Sequence, residues 1–107
     1  MSKYKDTIYA LSTPTGKSAI AVIRISGDQS LNTLKKISSI KEIIPNKTKL
    51  TLLKYQKEII DQVLVVFFKK PNSFTGEEMV EINCHGSTAI IAKISKTLEG
   101  LGLRLAE

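Results

Sequence analysis

Residues 63–85 read VLVVFFKKPNSFTGEEMVEINCH, and this stretch decides the fold class. It opens with six consecutive apolar residues rich in β-branched and aromatic types, a composition typical of a buried β-strand. The run predicts a strand buried on both faces at the centre of a sheet. After a turn-rich segment, apolar and polar residues alternate from Val80 to His85, which predicts another strand. The alternation places Glu81, Asn83 and His85 on one face of that strand.

The segments on either side complete the pattern of an α+β domain. A helix is predicted after residues 85–87, because four apolar residues follow at helical spacing, and it ends at Gly100 or Gly102. The four residues are Ile90, Ile94, Leu98 and Leu101. Leu103–Ala106 predicts a last strand. Strands are also predicted at Thr7–Leu11, Ala19–Ser26 and Lys49–Tyr55.

Ser26-Gly27-Asp28 offers capping residues for another helix, of about three turns. Its predicted buried stripe consists of Leu31, Leu34, Ile37 and Ile40. The order of elements is then strand, strand, helix, three strands, helix, strand. This order predicts one α+β domain over residues 1–107, with a mixed sheet and two main helices.

Composition excludes several classes of protein. The chain has 107 residues, 42% of them hydrophobic and 24% charged, as in an ordinary folded domain. It has no apolar run of the roughly 18 residues that a membrane span needs, and Met1–Ala10 does not resemble a signal peptide. We therefore expect a cytoplasmic protein with no membrane partner. Cys84 and His85 are the single cysteine and histidine, so neither an internal disulfide nor a Cys/His zinc site is expected.

Positive charge is concentrated in the first half of the sequence. Residues 1–57 carry 11 Lys and Arg against 3 Asp and Glu, a net charge of +8, whereas residues 58–107 carry 5 against 7, or −2. The six aromatic residues do not alternate with the lysines as stacking platforms for single strands would. The pattern indicates a weak, salt-sensitive attraction to nucleic acid.

Gly16-Lys17-Ser18 matches the end of a phosphate-binding P-loop, but the match stops there. That signature needs a glycine five residues before Gly16, where this chain has Leu11. The loop that contains it, Ser12–Ser18, also precedes the predicted strand Ala19–Ser26, whereas a P-loop precedes a helix. We interpret it as a turn.

Arg24 and Glu81 are charged residues within otherwise apolar strands. Arg24 fits a structural ion pair or an exposed edge position best, and the alternative is a ligand contact through its planar guanidinium. Glu81 fits a partner for Arg24, an exposed strand face, or a carboxylate that accepts two parallel N–H bonds from a heterocycle such as a pterin. His85 and Cys84 do not predict a catalytic dyad, because neighbouring strand residues point to opposite faces. A capping or packing role suits His85 better.

Several separated strings together resemble one known family. They are IRISG at 23–27, PNSFTGE at 71–77 and EINCHG at 81–86, with shorter matches at 6–8, 13–16 and 103–107. In this order they resemble the N-terminal domain of the tRNA modification GTPases MnmE, also called TrmE, over essentially the whole chain. Departures occur at Thr15, Lys17, Ser18, Ala19 and Ser87, where the family usually has other residues.

The resemblance implies a homodimer whose protomers contain this domain, a helical domain and a GTPase domain. With the FAD-dependent partner MnmG, the family installs an aminomethyl-type group on the wobble uridine of tRNA. GTP, Mg²⁺ and K⁺ belong to the GTPase domain, whose motifs are absent from these 107 residues. We therefore expect no catalytic residue here and no GTP hydrolysis by this chain alone.

The resemblance also implies a folate site. The N-terminal domain is similar to the folate-binding domain of the glycine cleavage T-protein, mediates dimerisation and holds 5-formyltetrahydrofolate or 5,10-methylenetetrahydrofolate. The family's folate contacts match Arg24 and Glu81, and Asn83 and His85 are secondary candidates. Further contacts come from beyond residue 107, so an incomplete pocket is expected. The alternatives are a basic tRNA-docking module with incidental folate binding and a stand-alone folate-dependent aminomethyltransferase, for which the chain is short.

Overall fold

A computed structural model describes residues 6–12, 20–71, 73 and 76–106. Within these ranges, two helices lie on one face of a six-stranded sheet. The elements are β1 (Ile8–Ser12), β2 (Ile20–Ser26), α1 (Ser30–Ile37), β3 (Lys49–Tyr55), β4 (Glu58–Phe68), β5 (Met79–His85), α2 (Thr88–Gly100) and β6 (Arg104–Leu105). The predicted α+β class and order of elements are confirmed.

The strands are arranged in the order β3-β4-β5-β2-β1-β6. Each neighbouring pair is antiparallel except β1 and β6, which are parallel, so the sheet is mixed as predicted. Of the loop predicted at Ser12–Ser18, Ser12 is the last residue of β1, and the others lie outside the described residues. So do Asn72, Phe74 and Thr75 of the predicted turn before β5.

The core lies between the sheet and the two helices. Alternate residues of β2, β4 and β5 are fully buried there, and α1 and α2 close the layer. These residues include Ile23, Ile25, Val63, Val65, Ile82, Leu34, Ile37, Ile94 and Leu98. Tyr9 of β1 joins the core and donates a hydrogen bond to Glu99 of α2; burial and that carboxylate raise the pKa of the Tyr9 phenol. No helix of the described ranges is long and apolar enough to cross a membrane.

The predicted position of the run at 63–68 is wrong. β4 is second from the sheet edge, next to β3, and it is buried on one face only. Val63, Val65 and Phe67 face the helices, whereas Leu64 is 44% exposed on the opposite face. The apolar run at 63–68 therefore supplies apolar side chains to both faces of the sheet, although only one of these faces is covered.

The first helix is shorter than predicted, because it ends at Ile37 after eight residues. Ser38 adopts an extended conformation and forms an isolated bridge with Leu53 of β3, which draws the chain away from the helix axis. Ile40 is nevertheless buried, although it lies beyond the helix. The predicted capping also differs: Gln29 is the N-cap residue, its side chain makes no cap, and Thr7 Oγ1 accepts a hydrogen bond from the Gln29 amide.

The second helix agrees with the sequence pattern at both ends. The Ser87 side chain accepts a hydrogen bond from the Ile90 amide and caps the N-terminus. At the C-terminus, Gly102 has φ +98° and donates to Glu99, and Leu103 donates to Leu98. This is a Schellman motif, which requires the left-handed conformation that glycine adopts readily.

Candidate ligand-binding site on the open sheet face

The sheet face opposite the helices is largely apolar and accessible. Outward residues of β2, β3 and β4 on this face include Ile20, Leu50 and Leu64, which are 55%, 58% and 44% exposed. The strand register aligns Leu50 with Leu64 and Leu64 with Asn83, so these side chains lie in rows across the sheet. Exposed apolar residues grouped in this way are typical of an interaction surface.

Arg24 and Glu81 form an ion pair on this face. They are direct partners in the register between β2 and β5, and Arg24 Nε donates to Glu81 Oε2 at 3.0 Å. The side chains are 34% and 18% exposed. The structure thus brings together the two leading candidates from the sequence. The hydrogen bond uses one carboxylate oxygen, and Oε1 of Glu81 makes no hydrogen bond to the described residues.

Small and apolar side chains surround the ion pair. Ala10 lies beside Arg24 in the same row, and Val66 lies beside Glu81. The next row on one side contains Val22, Asn83 and Leu64, and the next row on the other side contains Ser26, Met79 and Phe68. A ligand that covers the pair would exclude the remaining water, and its hydrogen bonds to the pair would then be stronger than at an open surface.

Asn83 and His85 lie on the same face as Glu81, as the alternation predicts. The Asn83 side chain donates to the Leu64 carbonyl at 3.4 Å. His85 is four residues from Glu81, about 13 Å along an extended strand, so it does not contact the ion pair. A ligand that contacts both Glu81 and His85 must therefore be elongated along β5.

Asp61 holds His85 in place, a role that the sequence analysis missed. The Asp61 carboxylate accepts from the His85 backbone amide at 2.9 Å and lies 2.8 Å from the ring Nδ1. Asp61 is buried, whereas 68% of the His85 side chain is exposed. The signal available in the sequence was an acid among the apolar residues of EIIDQVLVVFF. Because Nδ1 is engaged, Nε2 is the ring nitrogen left for a ligand.

Cys84 faces the core, away from His85, so the structure agrees with the absence of a Cys–His dyad. Burial, and then the charge of Asp61, raise the pKa of the Cys84 thiol from 9.0 to about 11. The thiol is therefore protonated at neutral pH and a poor nucleophile.

The raised thiol pKa predicts alkaline destabilisation. The folded chain holds the Cys84 proton more tightly than the unfolded chain. The contribution of the protonated thiol to the free energy of unfolding is therefore complete below about pH 9 and is lost as the pH rises towards 11. Between pH 9 and 10.5, the free energy of unfolding should fall by about 1–2 kcal/mol more in the wild type than in Cys84→Val. Urea unfolding at both pH values measures this. Equal losses in the two proteins would contradict the assignment.

Metal ligands are not grouped within the described ranges: no cluster there contains three or more His, Cys, Asp or Glu side chains placed to hold a metal ion. The two candidate site groups are the Arg24–Glu81 ion pair and the His85–Asp61 pair. Both present polar atoms on or beside the open face. Their chemistry suits hydrogen bonding to a polar ligand.

The fold and the site define an α+β domain with one helix-covered sheet face and one open face that carries a partly buried ion pair. A family model described as "GTP-binding protein TrmE N-terminus" matches residues 7–107. The chain belongs to this family, as the sequence strings predicted.

Three relatives carry the name "tRNA modification GTPase MnmE". The one from Sulfurovum sp. (strain NBC37-1) is 44% identical over 106 residues, which is 98% of this chain and 24% of the relative. The one from Fervidobacterium nodosum is 47% identical over 109 residues, 96% of this chain and 24% of the relative. The one from Helicobacter pylori (strain HPAG1) is 41% identical over 102 residues, which is 95% of this chain and 22% of the relative. The chain thus spans about a quarter of these relatives' length.

Proposed function

We propose that this chain is the folate-binding and dimerisation domain of a tRNA-modifying GTPase. It binds a tetrahydrofolate one-carbon derivative, 5-formyl- or 5,10-methylenetetrahydrofolate, on the open sheet face and presents it to the reaction. In the whole protein, GTP hydrolysis with Mg²⁺ and K⁺ in another domain and the FAD-dependent partner MnmG complete the modification of the wobble uridine. The observation that supports the folate site is the Arg24–Glu81 ion pair, in which Glu81 Oε1 can still accept hydrogen bonds from a ligand.

The chemistry of the pair fits the edge of a pterin. The 2-amino group and the adjacent ring N–H of a pterin are parallel donors, and a carboxylate such as Glu81 accepts from both. Arg24 keeps the carboxylate oriented through Oε2, and each carboxylate oxygen has two lone pairs, so this bond leaves acceptor capacity. Arg24 is the second proposed contact, since the planar fork of a guanidinium suits a carbonyl or formyl oxygen.

The surroundings of the pair fit the rest of the ligand. One face of the flat pterin ring can pack on the apolar side chains beside the pair, which are Val22, Val66 and Leu64. A folate is elongated and ends in carboxylates. Along β5, polar side chains continue from Glu81 through Asn83 towards His85, so an elongated ligand can lie along this strand. The chain's own role is to bind and orient the one-carbon donor. We also propose that its fold resembles the folate-binding domain of the glycine cleavage T-protein.

The open face also supports dimerisation. Its exposed apolar side chains, such as Ile20, Leu50 and Leu64, would leave water in a dimer. A second copy packed over this face would also supply the side of the pocket that the single chain lacks. Sedimentation of the purified chain tests for the dimer.

Calorimetric titration with 5-formyltetrahydrofolate tests the folate site. The wild-type chain should bind saturably, and Glu81→Ala should weaken binding about 30-fold, since a charge-assisted double hydrogen bond contributes roughly 2 kcal/mol. Glu58→Gln is the matched control, because Glu58 is also an ion-paired strand carboxylate, bonded to Lys93 of α2. It should bind like the wild type.

The exchange Arg24→Glu with Glu81→Arg separates ligand binding from stability. It keeps an ion pair at the same two positions, so the variant should unfold at a urea concentration close to that of the wild type. It places donors where the pterin needs acceptors, so folate binding should be lost. Wild-type affinity in this folded variant, or no binding by a folded dimeric wild type, would contradict the proposal.

A further inference from the structure

One continuous segment carries the net charge of the whole chain. Residues 35–57 contain seven lysines and one acid, a net charge of +6, and the other residues contain nine basic and nine acidic side chains. The seven are Lys35, Lys36, Lys41, Lys47, Lys49, Lys54 and Lys57. All are exposed, and none forms an ion pair with another described residue. The charge is therefore presented to solvent.

The fold places this segment along one edge of the sheet. It runs from the end of α1 through the following loop and along β3, which is an edge strand, to the β3–β4 turn. The bridge between Ser38 and Leu53 fixes the end of α1 beside the middle of β3. Lys41, Lys47 and Lys49 line neighbouring depressions along this edge, whereas Lys54 projects from the opposite face of β3. We call the whole segment, residues 35–57, the lysine edge.

Two shallow depressions on the lysine edge combine ammonium and hydroxyl groups. One is lined by Lys41 and Lys49 together with Ser39 and Thr51. The other is lined by Lys47 and Lys49 together with Thr48. Glu42, which borders both, is the single acid of the segment. Ammonium groups beside hydroxyls are the donors that proteins use towards phosphate oxygens.

We infer that the lysine edge binds the phosphate backbone of RNA. The inference rests on the proposed role in tRNA modification, which makes RNA the polyanion that this domain meets. Lys41, Lys47 and Lys49 line two neighbouring depressions, so their ammonium groups form a row of cations beside hydroxyl groups. The edge carries no aromatic side chain except Tyr55, so it reads backbone charge and not base sequence.

Protection of an exposed strand edge accounts for part of this charge only. Lysines on an edge strand such as β3 do discourage pairing with other sheets. That purpose needs charge on the strand itself, at Lys49 and Lys54. It does not need Lys41 and Lys47 in the loop, nor the hydroxyls beside them. The loop lysines are therefore the ones that a test must change.

Fluorescence anisotropy with an unmodified tRNA transcript, at several salt concentrations, tests the inference. The triple variant Lys41→Gln/Lys47→Gln/Lys49→Gln should bind about tenfold more weakly than the wild type at 50 mM salt. The slope of log K against log salt should fall by about two, since each phosphate contact contributes about 0.7–0.9. The matched control Lys69→Gln/Lys70→Gln/Lys96→Gln removes the same charge elsewhere and should change binding less than threefold.

Three outcomes would overturn the inference. They are equal losses in the two triple variants, an unchanged affinity in the lysine-edge variant, and stronger association of the wild type with vesicles containing 30% phosphatidylserine than with tRNA. Failure of the folate proposal gives a different pattern. The lysine-edge variant should bind 5-formyltetrahydrofolate like the wild type, and the Arg24/Glu81 exchange variant should keep its affinity for tRNA.

Discussion

Gly27→Ala is expected to lower the free energy of unfolding by about 3–5 kcal/mol, through contact and backbone strain together. Gly27 has φ +134°, which a residue with a Cβ rarely adopts. A Cβ at this position would lie 2.7 Å from Thr7 Oγ1 and 2.8 Å from Thr7 Cα. The backbone of Thr7 would have to move. Since Thr7 Oγ1 accepts from the Gln29 amide, the start of α1 would move as well.

Urea unfolding followed by circular dichroism measures this loss, with Gly102→Ala as the matched control. Gly102 also has a positive φ, +98°, but a Cβ there would have no neighbour within 4 Å. Its substitution carries the backbone cost alone, about 1–2 kcal/mol. If the two variants lost the same stability, the contact with Thr7 would not be the cause.

Asp61→Ala is expected to lower the free energy of unfolding by about 2–3 kcal/mol, because it removes a buried acceptor shared by two donors. The His85 amide and ring both bond to this carboxylate. The amide would be left at the end of β5 without its partner. His85→Ala should be milder, about 1 kcal/mol, since the imidazole is mostly exposed and Asp61 keeps its bond to the backbone.

Thermal unfolding of Asp61→Ala, Asp61→Asn and His85→Ala tests this ranking. The asparagine retains an acceptor, so its loss should lie between the other two. It also removes the charge that helps to raise the pKa of Cys84, so that pKa should fall in Asp61→Asn, as measured by the pH dependence of thiol alkylation. A larger loss in His85→Ala than in Asp61→Ala would show that the imidazole, and not the carboxylate, holds this end of the sheet.

Alternation of residue types was the most informative signal in the sequence. It predicted that Val80 and Ile82 face the core and that Glu81 and Asn83 face outward, because a strand with one covered face must separate them. It could not predict sheet order. VLVVFF is apolar throughout, and position in the sheet depends on pairings between distant segments, so the same run fits a central strand or one beside an open apolar face.

The ion pair shows the same division between local and long-range information. Arg24 and Glu81 each stood out within apolar strands, but only the register between β2 and β5 shows that they are direct neighbours. Asp61 was overlooked because its partner, His85, lies on another strand, 24 residues away. The end of α1 was misplaced for a related reason: the bridge from Ser38 to Leu53 overrides the helical spacing that continues to Ile40.

The pairing of β1 with β6 has a consequence for how the chain acquires its fold. Residues 8 and 9 lie beside residues 104 and 105, and the Ala106 amide donates to the Tyr9 carbonyl. One edge of β1 is therefore paired only when β6 is present. β2 likewise pairs with β5, a strand that is synthesised much later. Pairings this distant in sequence slow folding, because a long loop must close before they form. On the ribosome, we expect the β3–β4 hairpin to form first, and the sheet to close only after residue 106 has emerged from the exit tunnel.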